Sequence, residues 1–132
     1  MRFCFIFFSL LLLAGCSTFI INEPITDLTG KFRAFLQASA AADIDALKVI
    51  IKTKEDANMR GNMGLTPLHY AVIKNKLYLS DFLIRKGADP NSKDDDGITP
   101  LMYALSLKEI DSRIISLLIN AGADLFVKDK EG

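Results

Sequence analysis

At 132 residues the chain has room for one small domain around a single core. Half of its residues are hydrophobic and 24% are charged, a balance that excludes a disordered polypeptide. Sixteen basic residues offset sixteen acidic ones, so the basic surplus of a nucleic-acid binder is absent, and two cysteines near the start exclude a disulfide framework for the rest.

The chain opens on Met1-Arg2, followed by an apolar run over residues 3–13 broken only by Ser9. A run of this length falls well short of the ~20 residues that a membrane-crossing helix needs, but it suits the apolar region of a secretory signal. Leu13-Ala14-Gly15-Cys16 follows at once. This stretch resembles the lipobox of bacterial lipoproteins. The resemblance implies removal of a signal peptide over residues 1–15 and lipidation of Cys16 as the new first residue. Cys4 would leave with the signal. Ser17 in the second mature position implies the outer membrane by the enteric sorting rule, with the protein facing the periplasm. Residues 16–30, with Pro24 and no helical period, read as the lipidated N-terminus and a short tether.

Residues 31–132 read as one domain. Its first segment, 31–42, is alanine-rich and helical in composition, and a partner helix is expected over 44–53. Thr66-Pro67 then marks a helix start, because a threonine hydroxyl caps the first turn and proline loses nothing there. Helices are expected over 66–74 and 77–86, closed by Gly87. Thr99-Pro100 and Gly122 bracket a third pair, over 99–107 and 111–120. Leu79, Phe82 and Leu83 share one helical face. The same face is expected at Ile114, Leu117 and Leu118, 35 residues on, and at Ala46, Val49 and Ile50, 33 residues back. Hairpin-like loops are expected near 56–63 and 89–96, and two extra residues near 108–111 in the last pair.

Gly64-Leu65-Thr66-Pro67-Leu68-His69-Tyr70-Ala71 returns 33 residues later as Gly97-Ile98-Thr99-Pro100-Leu101-Met102-Tyr103-Ala104. Gly87-Ala88-Asp89 returns as Gly122-Ala123-Asp124. Two matched blocks at this period resemble the ankyrin repeat. The resemblance implies an all-α solenoid of helix-turn-helix units joined by hairpin-like loops: a capping repeat over 31–63, a repeat over 64–96 and a last repeat over 97–132. The first unit lacks the Thr-Pro-Leu-His block but keeps Asp56 and Asn58 in register with Asp89 and Asn91. Gly132 falls where a further block would open, so the final pair is expected to have an open end. Part of the set Ile110, Ile115 and Ile119 should face outward there. Truncation from a longer ankyrin protein is the favoured reading of that end, ahead of cover by a partner or a second copy.

Residues able to carry chemistry are few. His69 is the sole histidine and Met102 takes its place in the next repeat, so a metal or catalytic role is disfavoured. In the family this side chain braces the turn by hydrogen bonding. Ser92, Asp94, Asp96 and Gly97 imitate the start of a calcium loop, but Tyr103 stands where the bidentate glutamate is required. The Asp94-Asp95-Asp96 tip reads instead as a polar turn that steers a basic partner. No phosphate loop, nucleophile elbow or Cys–His pair is present. No catalytic residue, metal, cofactor, nucleic acid or small-molecule substrate is expected.

The resemblance places contact residues on the hairpins and first helices: Asn62, Met63, Leu65, Ile73, Lys74, Asp95, Asp96, Ile98, Ser106 and Leu107. The expected function is protein–protein interaction at the bacterial cell envelope. The alternative is a periplasmic immunity or accessory protein that inhibits or protects one enzyme, and an enzyme with an unrecognised site ranks below both.

Overall fold

The computed structural model describes residues 28–128 and Lys130. The expected signal, Cys16 and most of the tether lie outside them. The described residues hold seven α-helices and no strand. These are α1 Leu28–Ala41, α2 Ile44–Ile50, α3 Lys54–Ala57, α4 Pro67–Ile73, α5 Leu77–Arg85, α6 Pro100–Ser106 and α7 Ser112–Asn120.

Helix α1 begins inside the expected tether, at Leu28. Phe32, Phe35 and Ala38 recur every third residue and are buried, which gives the helix one packed face. It stops at Ala42, whose φ is 54°, and Asp43 then caps α2 by accepting from the Ala46 N–H at 2.9 Å. The Thr-Pro starts behave as expected. The Thr66 hydroxyl accepts from the His69 N–H and that of Thr99 from the Met102 N–H, with proline in the first turn of each helix. Helix α5 ends in a Schellman arrangement. The Gly87 N–H bonds the Ile84 carbonyl at 2.9 Å, and the Ala88 N–H reaches back to Leu83 at 3.0 Å. Gly122 and Ala123 repeat it after α7. Both glycines hold a positive φ, 92° and 94°, which costs glycine nothing.

The helices pair as α1 with α2, α4 with α5 and α6 with α7, and the pairs stack through α4 on α6 and α5 on α7. Leu47, Ile51, Leu68, Leu79, Leu83, Leu101, Ile114 and Leu118 form a continuous core along the stack. The connection in the last pair, residues 107–111, is two longer than residues 74–76, as the spacing predicted.

The first unit departs from expectation twice. Its second helix ends at Ile50 rather than at residue 53, and Thr53 caps a separate turn, α3, through a capping box with Asp56. Its fully buried residues are Leu47 and Ile51; of the expected face, Ala46 and Ile50 are half-buried against the core and Val49 is 63% exposed. The register is therefore one residue off the 33-residue offset. The reason is local. The Asp56 carboxylate accepts from the Lys52 and Thr53 N–H groups at 2.9 and 3.0 Å and pairs with Lys31 on α1, which stops α2 early. These bonds hold its carboxyl down at about 2 against the cost of burial.

Candidate functional site: the hairpin-tip face

Each unit passes to the next through a loop whose tip projects ahead of the following first helix. The two tips are built alike. Gly61 N–H bonds the Leu65 carbonyl at 2.9 Å, and Asp94 N–H bonds the Ile98 carbonyl at 3.0 Å, 33 residues on. The first tip contains a 3-10 turn, Asn62–Gly64, in which Met63 has φ 60° and ψ 19°. The Asp95 N–H donates to the Met63 carbonyl at 3.0 Å and joins the tips side by side. Gly64, φ 69°, lies so close to the second tip that a Cβ there would stand 2.9 Å from the Asp95 nitrogen and 2.4 Å from its Oδ1. Glycine is required on both counts.

His69 and Asp94 hold this architecture from within. His69 is fully buried. Its Nδ1 accepts from the Thr66 N–H at 3.2 Å, so the proton sits on Nε2, which donates to the Ile98 carbonyl at 3.0 Å. Helix α4 thereby grips the next hairpin. Burial pushes the imidazole pKa down, and the Ile98 carbonyl opposes that shift only in part. The Asp94 Oδ1 accepts from the Asp96 and Ile98 N–H groups at 2.9 and 2.8 Å, and its Oδ2 accepts from the Tyr103 hydroxyl at 2.7 Å. Those bonds outweigh the cost of burial and hold its carboxyl below the usual range. The same bond to Asp94 pushes the Tyr103 hydroxyl up to about 12. Asp94 is thus a turn anchor, 5% exposed, and not part of a steering patch with Asp95 and Asp96.

The ten expected contact residues fall into two groups. Asn62, Met63, Asp95 and Asp96 are exposed at the tips, with Leu65 and Ile98 half-buried behind them. Ile73, Lys74, Ser106 and Leu107 lie at the far ends of α4 and α6, with Lys74 and Ser106 exposed and the other two half-buried. The tips are brought together by hydrogen bonding, whereas the second group is a helix length away, ~10 Å at 1.5 Å per residue. Beside the tips lies a recess of about 280 Å³, lined by Arg60, Lys93, Asp94, Gly97, Lys128 and Lys130. The triple aspartate drew attention away from these basic residues, although the repeat offsets alone place three of them in one column. Among the described residues no group of three or more His, Cys, Asp or Glu side chains could hold a metal ion.

A second device ties the layers together. The Asn58 Nδ2 donates to the Lys54 and Gly87 carbonyls at 2.8 and 2.9 Å, and its Oδ1 accepts from the Asp89 N–H at 2.7 Å. Asn91 does the same to Gly122 and Asp124, at 2.9 and 2.7 Å. The next position in this register is Phe126, which is 88% exposed.

Comparison with known proteins agrees with this geometry. The chain is 39% identical over 107 residues to neurogenic locus notch homolog protein 1 of Xenopus laevis, and equally so to that of Xenopus tropicalis. The match takes in 81% of this chain but 4% of either relative. The Danio rerio homolog is 41% identical over 63 residues, 48% of this chain and 2% of that protein. The chain therefore spans only a small fraction of the relatives it matches. The family model for ankyrin repeats, in three copies, matches residues 10–129, and with its stacked helix pairs, Thr-Pro caps and hairpin tips the chain belongs to the ankyrin-repeat family.

Proposed function

We propose that the chain is a protein-binding module displayed at the bacterial cell envelope, anchored through a lipid on Cys16 in the outer membrane and facing the periplasm. Ankyrin repeats are in general protein-interaction modules, and the binding part of the reading rests on that and on one observation at the tips. Met63 is 62% exposed on a left-handed backbone, φ 60°. A non-glycine residue there costs of order 1–2 kcal/mol. An apolar side chain held into solvent at such a cost, beside the exposed Asn62, Asp95 and Asp96, suits a partner that covers it. The envelope part rests on Leu13-Ala14-Gly15-Cys16 following an apolar run.

Two experiments test the two parts. Cys16→Ser should release the protein from membranes and abolish incorporation of labelled fatty acid; equal labelling of both forms removes the anchor. Affinity capture with the wild-type protein should yield a stoichiometric protein partner, and Met63→Ala should weaken that capture. Capture unaffected by substitution at Met63, Asp95 and Asp96 together would move the binding surface elsewhere.

A further inference from the structure

Arg60, Lys93 and Lys128 are separated by 33 and 35 residues, the offsets of the repeat itself. Each stands two residues past the hook position occupied by Asn58, Asn91 and Phe126. The three cations therefore form a column, one from each layer of the stack. All three are exposed, and all three line the same recess, joined by Lys130. None of the three side chains has an ion-pair or hydrogen-bond partner among the described residues. Among the described residues that line the recess, the one carboxylate, Asp94, is already committed to two backbone N–H groups and the Tyr103 hydroxyl. Asp89 and Asp124, the nearest exposed acids along the chain before Lys93 and Lys128, each turn Oδ1 to a backbone N–H, at Asn91 and Phe126.

We propose that this column receives an extended acidic segment of the partner protein, with carboxylates about three residues apart; this rests on the protein-binding reading above. Packed helices of neighbouring layers lie about 8–10 Å apart, so cations recur at roughly that spacing. A segment in the polyproline-II conformation advances about 3.1 Å per residue with about three residues per turn, so an Asp or Glu at each third position stays on one face and meets each cation in turn. A single exposed ion pair contributes little, but one segment engaging Arg60, Lys93 and Lys128 together adds their effects. Arg60 can take its carboxylate with two parallel N–H donors. A nucleic-acid strand fits less well. Its phosphates are far denser, about one per 3.4 Å along each strand, and do not match cations about 8–10 Å apart.

The test uses the purified full chain and labelled peptides of repeating Glu-Gly-Ser, read by fluorescence anisotropy. The repeating peptide should bind at low salt and weaken at ~0.3 M salt, and its Gln-Gly-Ser counterpart should not bind. A peptide of the same composition with its glutamates clustered should bind several-fold more weakly. Arg60→Gln, Lys93→Gln and Lys128→Gln combined should weaken binding about tenfold with an unchanged melting temperature, since all three side chains are exposed. Asp95→Asn with Asp96→Asn should not weaken it. Unchanged binding by the triple variant overturns the proposal. So does equal or stronger binding of single-stranded DNA or of phosphatidylglycerol vesicles. Partner capture that survives the triple variant overturns the column while leaving the protein-binding reading intact, whereas absence of any captured partner strikes at that reading instead.

Discussion

His69 is neutral in the folded chain because its ring is buried and its Nδ1 is already an acceptor. Protonation would cost the Thr66 bond and place a charge in the interior. The folded pKa lies below the unfolded value of about 6.5. The unfolded chain therefore binds more protons in the window just below that value, and stability falls as pH falls through it. Wild type should lose stability as pH falls through about 6.5, and His69→Gln should be less stable at neutral pH with a flatter profile there. Denaturant midpoints at several pH values measure this, and equal slopes for the two proteins would refute it. Asp56, with its carboxyl at about 2, adds a separate loss only below about pH 4. Tyr103→Phe removes the hydroxyl from a buried carboxylate and should cost about 1.5 kcal/mol, the low end for a bond to a charged group, because the ring is partly exposed. Much of this scale was legible in the sequence. The Thr-Pro starts depend on neighbours within a few residues, which a linear reading sees; the bracing role of His69 comes from the family resemblance, and its bond to Ile98, 29 residues on, emerges only in the fold. The burial of Asp94 was not legible, because three adjacent aspartates look alike until Tyr103, nine residues on, singles one out.

At the scale of the element, the stack is joined by two unlike devices, a packed face and a polar hook. Leu83 is fully buried between layers, so Leu83→Ala should cost about 2–5 kcal/mol. Asn58→Ala would remove three hydrogen bonds, two of them to the next layer, and leave the Gly87 carbonyl and Asp89 N–H without those partners. A cost of about 1–3 kcal/mol is expected. Its local signature differs from that of Leu83→Ala: hydrogen exchange should quicken first at residues 84–89, where the hook holds the end of α5. Denaturation and exchange measured on the same variants separate the two devices. The one-residue slip in the first unit belongs to this scale. Where a Thr-Pro pair fixes the helix start, as at Thr66 and Thr99, the offset of 33 carries the buried Pro67, Leu68 and Ala71 onto the buried Pro100, Leu101 and Ala104. The first unit has no such pair at its start. There the Asp56 carboxylate, which looks in sequence like a counterpart of Asp89, ends α2 early and moves the buried face to Leu47 and Ile51.

For the whole molecule, the layers differ in how well they are covered. Helices α4 and α5 have a helix pair on either side, whereas α6 and α7 pack on one side only among the described residues. The effect is visible in equivalent side chains. Val72 on α4 is fully buried, and Leu105, its counterpart on α6, is 63% exposed. Ser80 on α5 is fully buried, and its counterpart Ile115 on α7 is half-buried. Of the apolar set expected to face outward, Ile110 and Ile115 pack against the core, while Ile119 is 42% exposed, and Leu125 and Phe126 further on are exposed as well. Phe126 also replaces the asparagine that would hook a further layer of the same kind. In a repeat stack each layer is stabilised by its neighbours, so a layer covered on one side opens at lower free energy than one covered on both. Hydrogen exchange on the monomer should therefore protect the amides of residues 112–120 clearly less than those of 77–85. Leu105→Lys should leave stability within about 0.5 kcal/mol of wild type, while Val72→Lys should unfold the array, because it buries an unpaired charge where its counterpart meets water. Equal protection of α5 and α7 in a proven monomer, or a large penalty for Leu105→Lys, would mean that the last layer is covered by something other than its neighbour in the stack.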